Sequence, residues 1–284
     1  MKNHNLSPVA LTPRHSTLAR SSAFMAGALL LCASSQAATL FTDDFGSGTT
    51  PAPLNGATTG SGIFSGAWGV QGNNVTIPGY NIVSTNPLAG AGGNYAIGGS
   101  SYVGSQRGLS TAAAIALDPT VENGNGRIGG STLIFSGVVR KDIAGQNLLL
   151  ALGNGFNDGG TLGVANTGIG FGDANGDGFI DLFSRNTVVN SNISFALGTS
   201  YMLSVEAVYT TGTAALLTLS VDGVVTTATI NSTDATFNQL GYYGGNGSNR
   251  SSIDNLSLTS IPEPSSVALG LLGTLGLLHF RRRR

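Results

Sequence analysis

Between Ala38 and Ser260 this chain has neither cysteine nor histidine. The one cysteine is Cys32, and the three histidines are His4, His15 and His279. That stretch therefore forms no disulfide, runs no Ser-His-Asp or Cys-His mechanism, and builds no zinc site from the usual ligands. Its stability has to come from an apolar core, with an oxygen-bound metal as the remaining cross-link. Positive charge is scarce as well. Arg107, Arg127, Arg140, Lys141, Arg185 and Arg250 stand against thirteen acids, so 6 − 13 leaves about −7, compared with −1 for the whole chain. An acidic surface repels phosphate backbones, which argues against a nucleic-acid partner. Glutamate is reduced to Glu122 and Glu206. Glycoside hydrolysis needs two carboxyl groups flanking one bond, and no strand carries a cluster of acids, so the chain reads as a non-enzyme.

The two ends hold what the middle lacks. At the C-terminus Pro262, Glu263 and Pro264 precede an apolar run from Ser265 to Phe280, which Arg281, Arg282, Arg283 and Arg284 close. As a helix, those 16 residues extend roughly 24 Å against a hydrocarbon core of roughly 30 Å, so spanning needs local thinning or snorkelling arginines. The arginines supply the snorkelling and hold that end in the cytoplasm. At the N-terminus Lys2, Arg14 and Arg20 precede the apolar run Ala23 to Ala33. Ser35-Gln36-Ala37 then places small residues where a signal peptidase reads them, predicting cleavage between Ala37 and Ala38. Leu31 stands where a lipoprotein needs a small residue before Cys32, so lipid attachment is not expected. The organisation is a signal peptide over 1–37, a domain over 38–260 and a membrane-directed tail over 261–284.

Pro-Glu-Pro, one apolar helix and a terminal arginine cluster, in that order, resemble the PEP-CTERM sorting signal of Gram-negative bacteria. The resemblance implies recognition by an exosortase, a membrane protease/transpeptidase that removes the helix. It also implies export across the inner membrane, transient anchoring, and a final place at the cell surface or in an exopolysaccharide or biofilm matrix. Exosortase and signal peptidase are then the partners during export, with extracellular polysaccharide as the surrounding medium.

The middle is rich in glycine, with 43 in the whole chain, and short runs of Val, Ile, Leu, Thr and Phe recur between Gly, Asn and Asp clusters. This spacing predicts antiparallel strands. Strands are expected over 131–140, 147–152, 201–209, 214–221, 224–230 and 253–258, with Asp222-Gly223 as a two-residue hairpin turn. The Gly/Ser/Thr/Asn segments 46–62 and 90–101 read as long surface loops. Leu109 to Leu117 is Ala-rich but short and bounded by Pro119. Thr42-Asp43-Asp44-Phe45, YMLSVEAVY at 201–209, LLTLSVDG at 216–223 and IDNLSL at 253–258 resemble laminin-G-like, concanavalin A-like jelly rolls. That resemblance implies an all-β, antiparallel β-sandwich whose first and last strands lie together.

The sharpest candidate site is Asp173-Ala174-Asn175-Gly176-Asp177-Gly178-Phe179-Ile180-Asp181. Asp173, Asn175, Asp177 and Asp181 offer side-chain oxygens, Gly176 allows a sharp turn, and Phe179 offers a carbonyl, as a structural Ca²⁺ requires of one short loop. Ile180 would pin the loop to the core. Ser184 replaces the bidentate Glu of an EF-hand, so the loop is more like the Asp-rich calcium loops of extracellular β domains. The alternative is a plain hairpin turn with its acids in water. Gly124-Asn125-Gly126-Arg127-Ile128-Gly129 matches GxGxxG but lacks the strand and helix that a dinucleotide site needs. A lectin-like role is the functional alternative, with Trp68, Tyr80, Tyr95, Tyr102, Tyr242 and Tyr243 as aromatic candidates. Trp68, between Phe64 and Val70, reads as a core residue, and Glu206 as a solvent-facing one.

Overall fold

The computed structural model describes residues 37–46, 52–53, 60–64, 68–70, 81–83, 88, 95–97, 105–108, 132–153, 168–235, 237, 239–244 and 251–261. The segment 1–36, the tail from Pro262 to Arg284, Glu122, the 109–117 run and the 124–129 motif lie outside them. The strands are β1 (Ala38–Asp43), β2 (Ala52–Pro53), β3 (Ser61–Gly62), β4 (Gly69–Val70), β5 (Asn81–Val83), β6 (Tyr95–Ile97), β7 (Ser105–Gly108) and β8 (Thr132–Lys141). There follow β9 (Leu148–Gly153), β10 (Ile169–Asp173), β11 (Phe179–Ser184), β12 (Thr187–Ser194), β13 (Ser200–Tyr209), β14 (Ala215–Val221), β15 (Val224–Ser232), β16 (Gln239–Tyr243) and β17 (Ser251–Ile261). Among the described residues there is no helix, and so none long and apolar enough to cross a membrane. These strands belong to one compact unit, Ala37–Glu263.

They form two antiparallel sheets. The larger runs β15-β14-β13-β8-β17-β6-β5-β2, with β1 on β17 and β3 on β1; the smaller runs β12-β11-β10-β9-β16-β7-β4. Period-2 alternation decides which faces meet. Leu203, Val205, Ala207 and Tyr209 of β13, with Ala215, Leu217 and Leu219 of β14, turn inward from the larger sheet. Leu148, Leu150 and Leu152 of β9, Phe171 of β10 and Leu182 of β11 meet them from the smaller. Phe135 and Phe171, one from each sheet, pack with ring centroids 5.3 Å apart. The fold is an all-β antiparallel sandwich whose apolar core lies between the sheets.

β1 and β17 lie side by side, from Ala38 opposite Ser260 to Asp43 opposite Leu256. The Thr42–Phe45 segment is held by a buried carboxylate: Asp43 accepts from Trp68 Nε1 at 2.9 Å and from the Phe45 N–H at 2.9 Å. The β14–β15 turn takes left-handed φ at both central residues, Asp222 at 50° and Gly223 at 79°, as a tight hairpin requires. Two of the expected loops are partly strand. Segment 46–62 contains β2 and β3, and segment 90–101 contains β6. Each adds its backbone to a strand already in place, and a ladder bond needs no apolar side chain.

Candidate functional site

The loop between β10 and β11 is where side chains with chemistry converge. Asp173 ends β10 and Asp181 lies within β11, and the five-residue connection returns the chain so that carboxylate oxygens of Asp173, Asp177 and Asp181 lie within 4.8 Å of one another. Gly176, at φ 78°, allows the reversal. Two of the three acids are buried: Asp173 and Asp181 are fully shielded, while Asn175 and Asp177 face solvent. This differs from a plain turn with its acids in water.

Backbone amides shape the cluster. Asp173 Oδ1 accepts from Gly176 N at 2.6 Å, and Oδ2 accepts from Gly178 N at 2.9 Å. Asn175 Oδ1 accepts from Asp177 N at 3.1 Å, and its Nδ2 donates to Asp177 Oδ2 at 2.9 Å. Phe179 opens β11 opposite Ser194 and donates its N–H to Asp177 Oδ1 at 2.9 Å. Ile180 is fully buried in the core and fixes the loop's exit. Ser184, at the twelfth position, donates instead to the Ser232 hydroxyl at 2.8 Å.

One functional residue was invisible to the motif. Lys141, at the end of β8, is buried and donates Nζ to Asp173 Oδ2. Lys141 belongs to the larger sheet and Asp173 to the smaller, so the ion pair ties the two sheets. A signal did exist in the sequence, because Lys141 is the only lysine besides Lys2. Neighbouring connections brace the same end of the sandwich. Asn147 Nδ2 donates to Ala174 O at 2.7 Å, Phe195 N to Gly178 O at 2.8 Å, and Gly198 N to Lys141 O at 2.8 Å.

Asp181 carries the electrostatic strain of this arrangement. Its Oδ2 accepts from Ala174 N at 2.9 Å, whereas its buried Oδ1 has no hydrogen-bond partner. Burial pushes its pKa from 3.8 up to about 7; the Ala174 amide opposes this, Asp177 and Asp173 add to it, and Lys141 opposes it. A bound cation would favour the ionised form of Asp181 that burial disfavours. The three converging carboxyl groups and the orphaned oxygen suit a divalent, oxygen-seeking cation. Asp173, Asp177 and Asp181 are the residues that would hold it.

The remaining candidates are dispersed. Glu206 is exposed on β13 between Ile134 and Thr218, with no carboxylate opposite on either strand. Trp68 is buried, as its sequence context predicted. Tyr242 and Tyr243 are buried too, and Tyr242 shares its hydroxyl with Ser251 Oγ at 2.7 Å. None of these three presents a ring face to a sugar. Tyr80 and Tyr102 lie outside the described residues.

No known protein family matches the chain, and no curated protein matches it. Among solved structures it is similar to a protein of unknown function from Shewanella oneidensis MR-1, with TM-score 0.44, 16% identity, and coverage of 92% of this chain and 98% of that one. It is similar to domain 4 of an extracellular arabinanase from Geobacillus stearothermophilus, solved with arabinotriose, at TM-score 0.43, 12% identity, and coverage of 82% and 98%. It is also similar to a carbohydrate esterase of a Shiga toxin-encoding bacteriophage, at TM-score 0.42, 12% identity, and coverage of 80% and 100%. Identities and scores this low place the chain in no family.

Proposed function

We propose that this protein is an exported, non-catalytic β-sandwich module of the jelly-roll type. It is sorted through its Pro262–Pro264 and Arg281–Arg284 signal to the cell surface or extracellular matrix, and clamped by Ca²⁺ in the 173–181 loop. The observation that carries the reading is the convergence of Asp173, Asp177 and Asp181, together with the buried Asp181 Oδ1 that has no hydrogen-bond partner. The buried acids are locked into backbone amides and Lys141, an arrangement that holds an ion and the loop rather than turning over a substrate. The solitary position of Glu206 supports the same view, since a glycosidase needs a second carboxyl group across the bond. A bound ion would tie β10 to β11, beside the Lys141–Asp173 pair that joins β8 to them, in place of the disulfide that this chain lacks.

The test has two parts. Thermal unfolding with Ca²⁺ and with chelator should differ, and Asp181→Ala should abolish the difference; equal midpoints in both conditions would remove the clamp. Intact mass of the chain recovered from cell surface and medium should begin near Ala38 and end near Pro264. A chain that keeps Ser265 to Arg284 in the membrane would instead be simply anchored. A carbohydrate-binding role has one observation in its favour: Phe179, 39% exposed, stands next to Asp177 at the rim of the cluster. Phe179→Ala should then lower retention on the cells' own polysaccharide.

A further inference from the structure

Lys141 stands out among the basic residues of the sandwich. Between Ala38 and Ser260 every other base is an arginine: Arg107, Arg127, Arg140, Arg185 and Arg250. To hold a buried carboxylate as an ion pair, the planar, weakly hydrated guanidinium is the better group. A primary amine taken out of water can do what a guanidinium cannot, which is act as a nucleophile. The one amine side chain of this stretch is fully buried, and so is the carboxyl group that it meets, Asp173.

Asp173 is held as the electrophile of such a pair would be. Lys141 Nζ is in hydrogen-bond contact with Oδ2, and the Gly198 N–H on the Lys141 carbonyl, at 2.8 Å, fixes the end of β8. From the other side Oδ1 accepts from Gly176 N at 2.6 Å and Oδ2 from Gly178 N at 2.9 Å. Backbone N–H groups aimed at a carboxyl polarise its carbon and stabilise the oxyanion that forms when a nucleophile adds. Groups fixed in contact react with effective molarities of up to about 10⁵–10⁸ M, and a site closed to water lacks the reagent of the reverse hydrolysis. Condensation also removes two buried charges and the desolvation penalty that they carry.

We propose that Lys141 and Asp173 condense into an intramolecular isopeptide bond, an amide between Nζ and Cγ that joins the two sheets covalently. One proton passes from the ammonium to Oδ2 along the existing hydrogen bond, and the amine lone pair adds to Cγ. A second proton follows as the Cγ–Oδ2 bond breaks. Nζ keeps one hydrogen, Oδ2 departs as water and releases the Gly178 amide, and Oδ1 stays as the amide carbonyl on the Gly176 N–H. Ammonium plus carboxylate gives amide plus water, so the step needs no oxidant and no co-reactant. The bond ties β8 to β10 across 32 positions, a cross-link open to a stretch that has no cysteine. The inference goes beyond the calcium reading and does not rest on it: the bond is read by mass, the ion by thermal unfolding.

Intact mass of the full chain purified in mild detergent tests it, followed by chymotryptic digestion of the denatured protein. The wild type should be lighter than its sequence by one water. Cleavage at sites such as Leu148 and Phe171, between the two residues, should then leave a branched peptide that fragmentation joins through Lys141 and Asp173. Lys141→Arg keeps the positive charge without the amine, and it should show full mass, no branched peptide and a lower unfolding midpoint. A wild type of full mass that unfolds cooperatively overturns the proposal. So does a water loss that Lys141→Arg retains, or one that fragmentation places at Asp177–Gly178 or Asp222–Gly223, where a succinimide loses the same mass. If Lys141→Arg does not fold, the presence or absence of the branched peptide in the wild type decides.

Discussion

At the scale of single residues, Asp181 and Lys141 hold the opposing electrostatic terms. The raised pKa of Asp181 means that the folded state binds its proton more tightly than the unfolded chain does. The associated stability is fully present below about pH 3.8 and is lost as pH rises through about 7. In chelator, stability should therefore fall across that window, and Asp181→Asn, measured by urea unfolding at several pH values, should flatten the fall. Ca²⁺ should flatten it too, by favouring the ionised form. Lys141→Met leaves Asp173 buried without its cation, a loss of about 3–5 kcal/mol by urea unfolding. Pairing that change with Asp173→Leu should recover only part of the loss, because it removes the unpaired buried charge but also the acceptor of the Gly176 and Gly178 amides.

At the scale of elements, the site depends on how closely β9 and β10 approach. Gly172, at φ 141°, sits opposite Leu149, and a Cβ there would collide with the carbonyl oxygen of Leu148. Gly172→Ala must therefore displace the ladder immediately before Asp173. The expected result is a lower unfolding midpoint and a weakened calcium response together. Much at this scale was legible in the sequence. The alternation of Leu203, Val205, Ala207 and Tyr209, the Asp222-Gly223 turn and the acidic spacing are local patterns of period two or fixed offset. β2, β3 and β6 were not legible, because strands of two or three residues are too short to show a period and are stabilised by the neighbour they pair with.

At the scale of the molecule, the order of strands makes the C-terminal end of the sandwich indispensable up to a definite point. β17 lies between β8 on one side and β1 and β6 on the other, and it ends at Ile261. A chain ending after Pro264 should keep its far-UV β spectrum and cooperative melting. One ending after Arg250 should lose both, since the larger sheet would be cut through its middle. Sorting by removal of the tail would thus leave the sandwich whole. The sequence alone determined the absence of thiol and imidazole chemistry from 38–260, the acidic balance, the period-two strands and the calcium-like spacing, all of which are properties of composition or of near neighbours. Lys141 reaching Asp173 across 32 positions, Trp68 bonding Asp43 across 25, the burial of Tyr242 and Tyr243, and the place of β15 at an edge arise only when distant strands meet. Pairing partners and desolvation depend on which segments share space, and no local period of the chain carries that information.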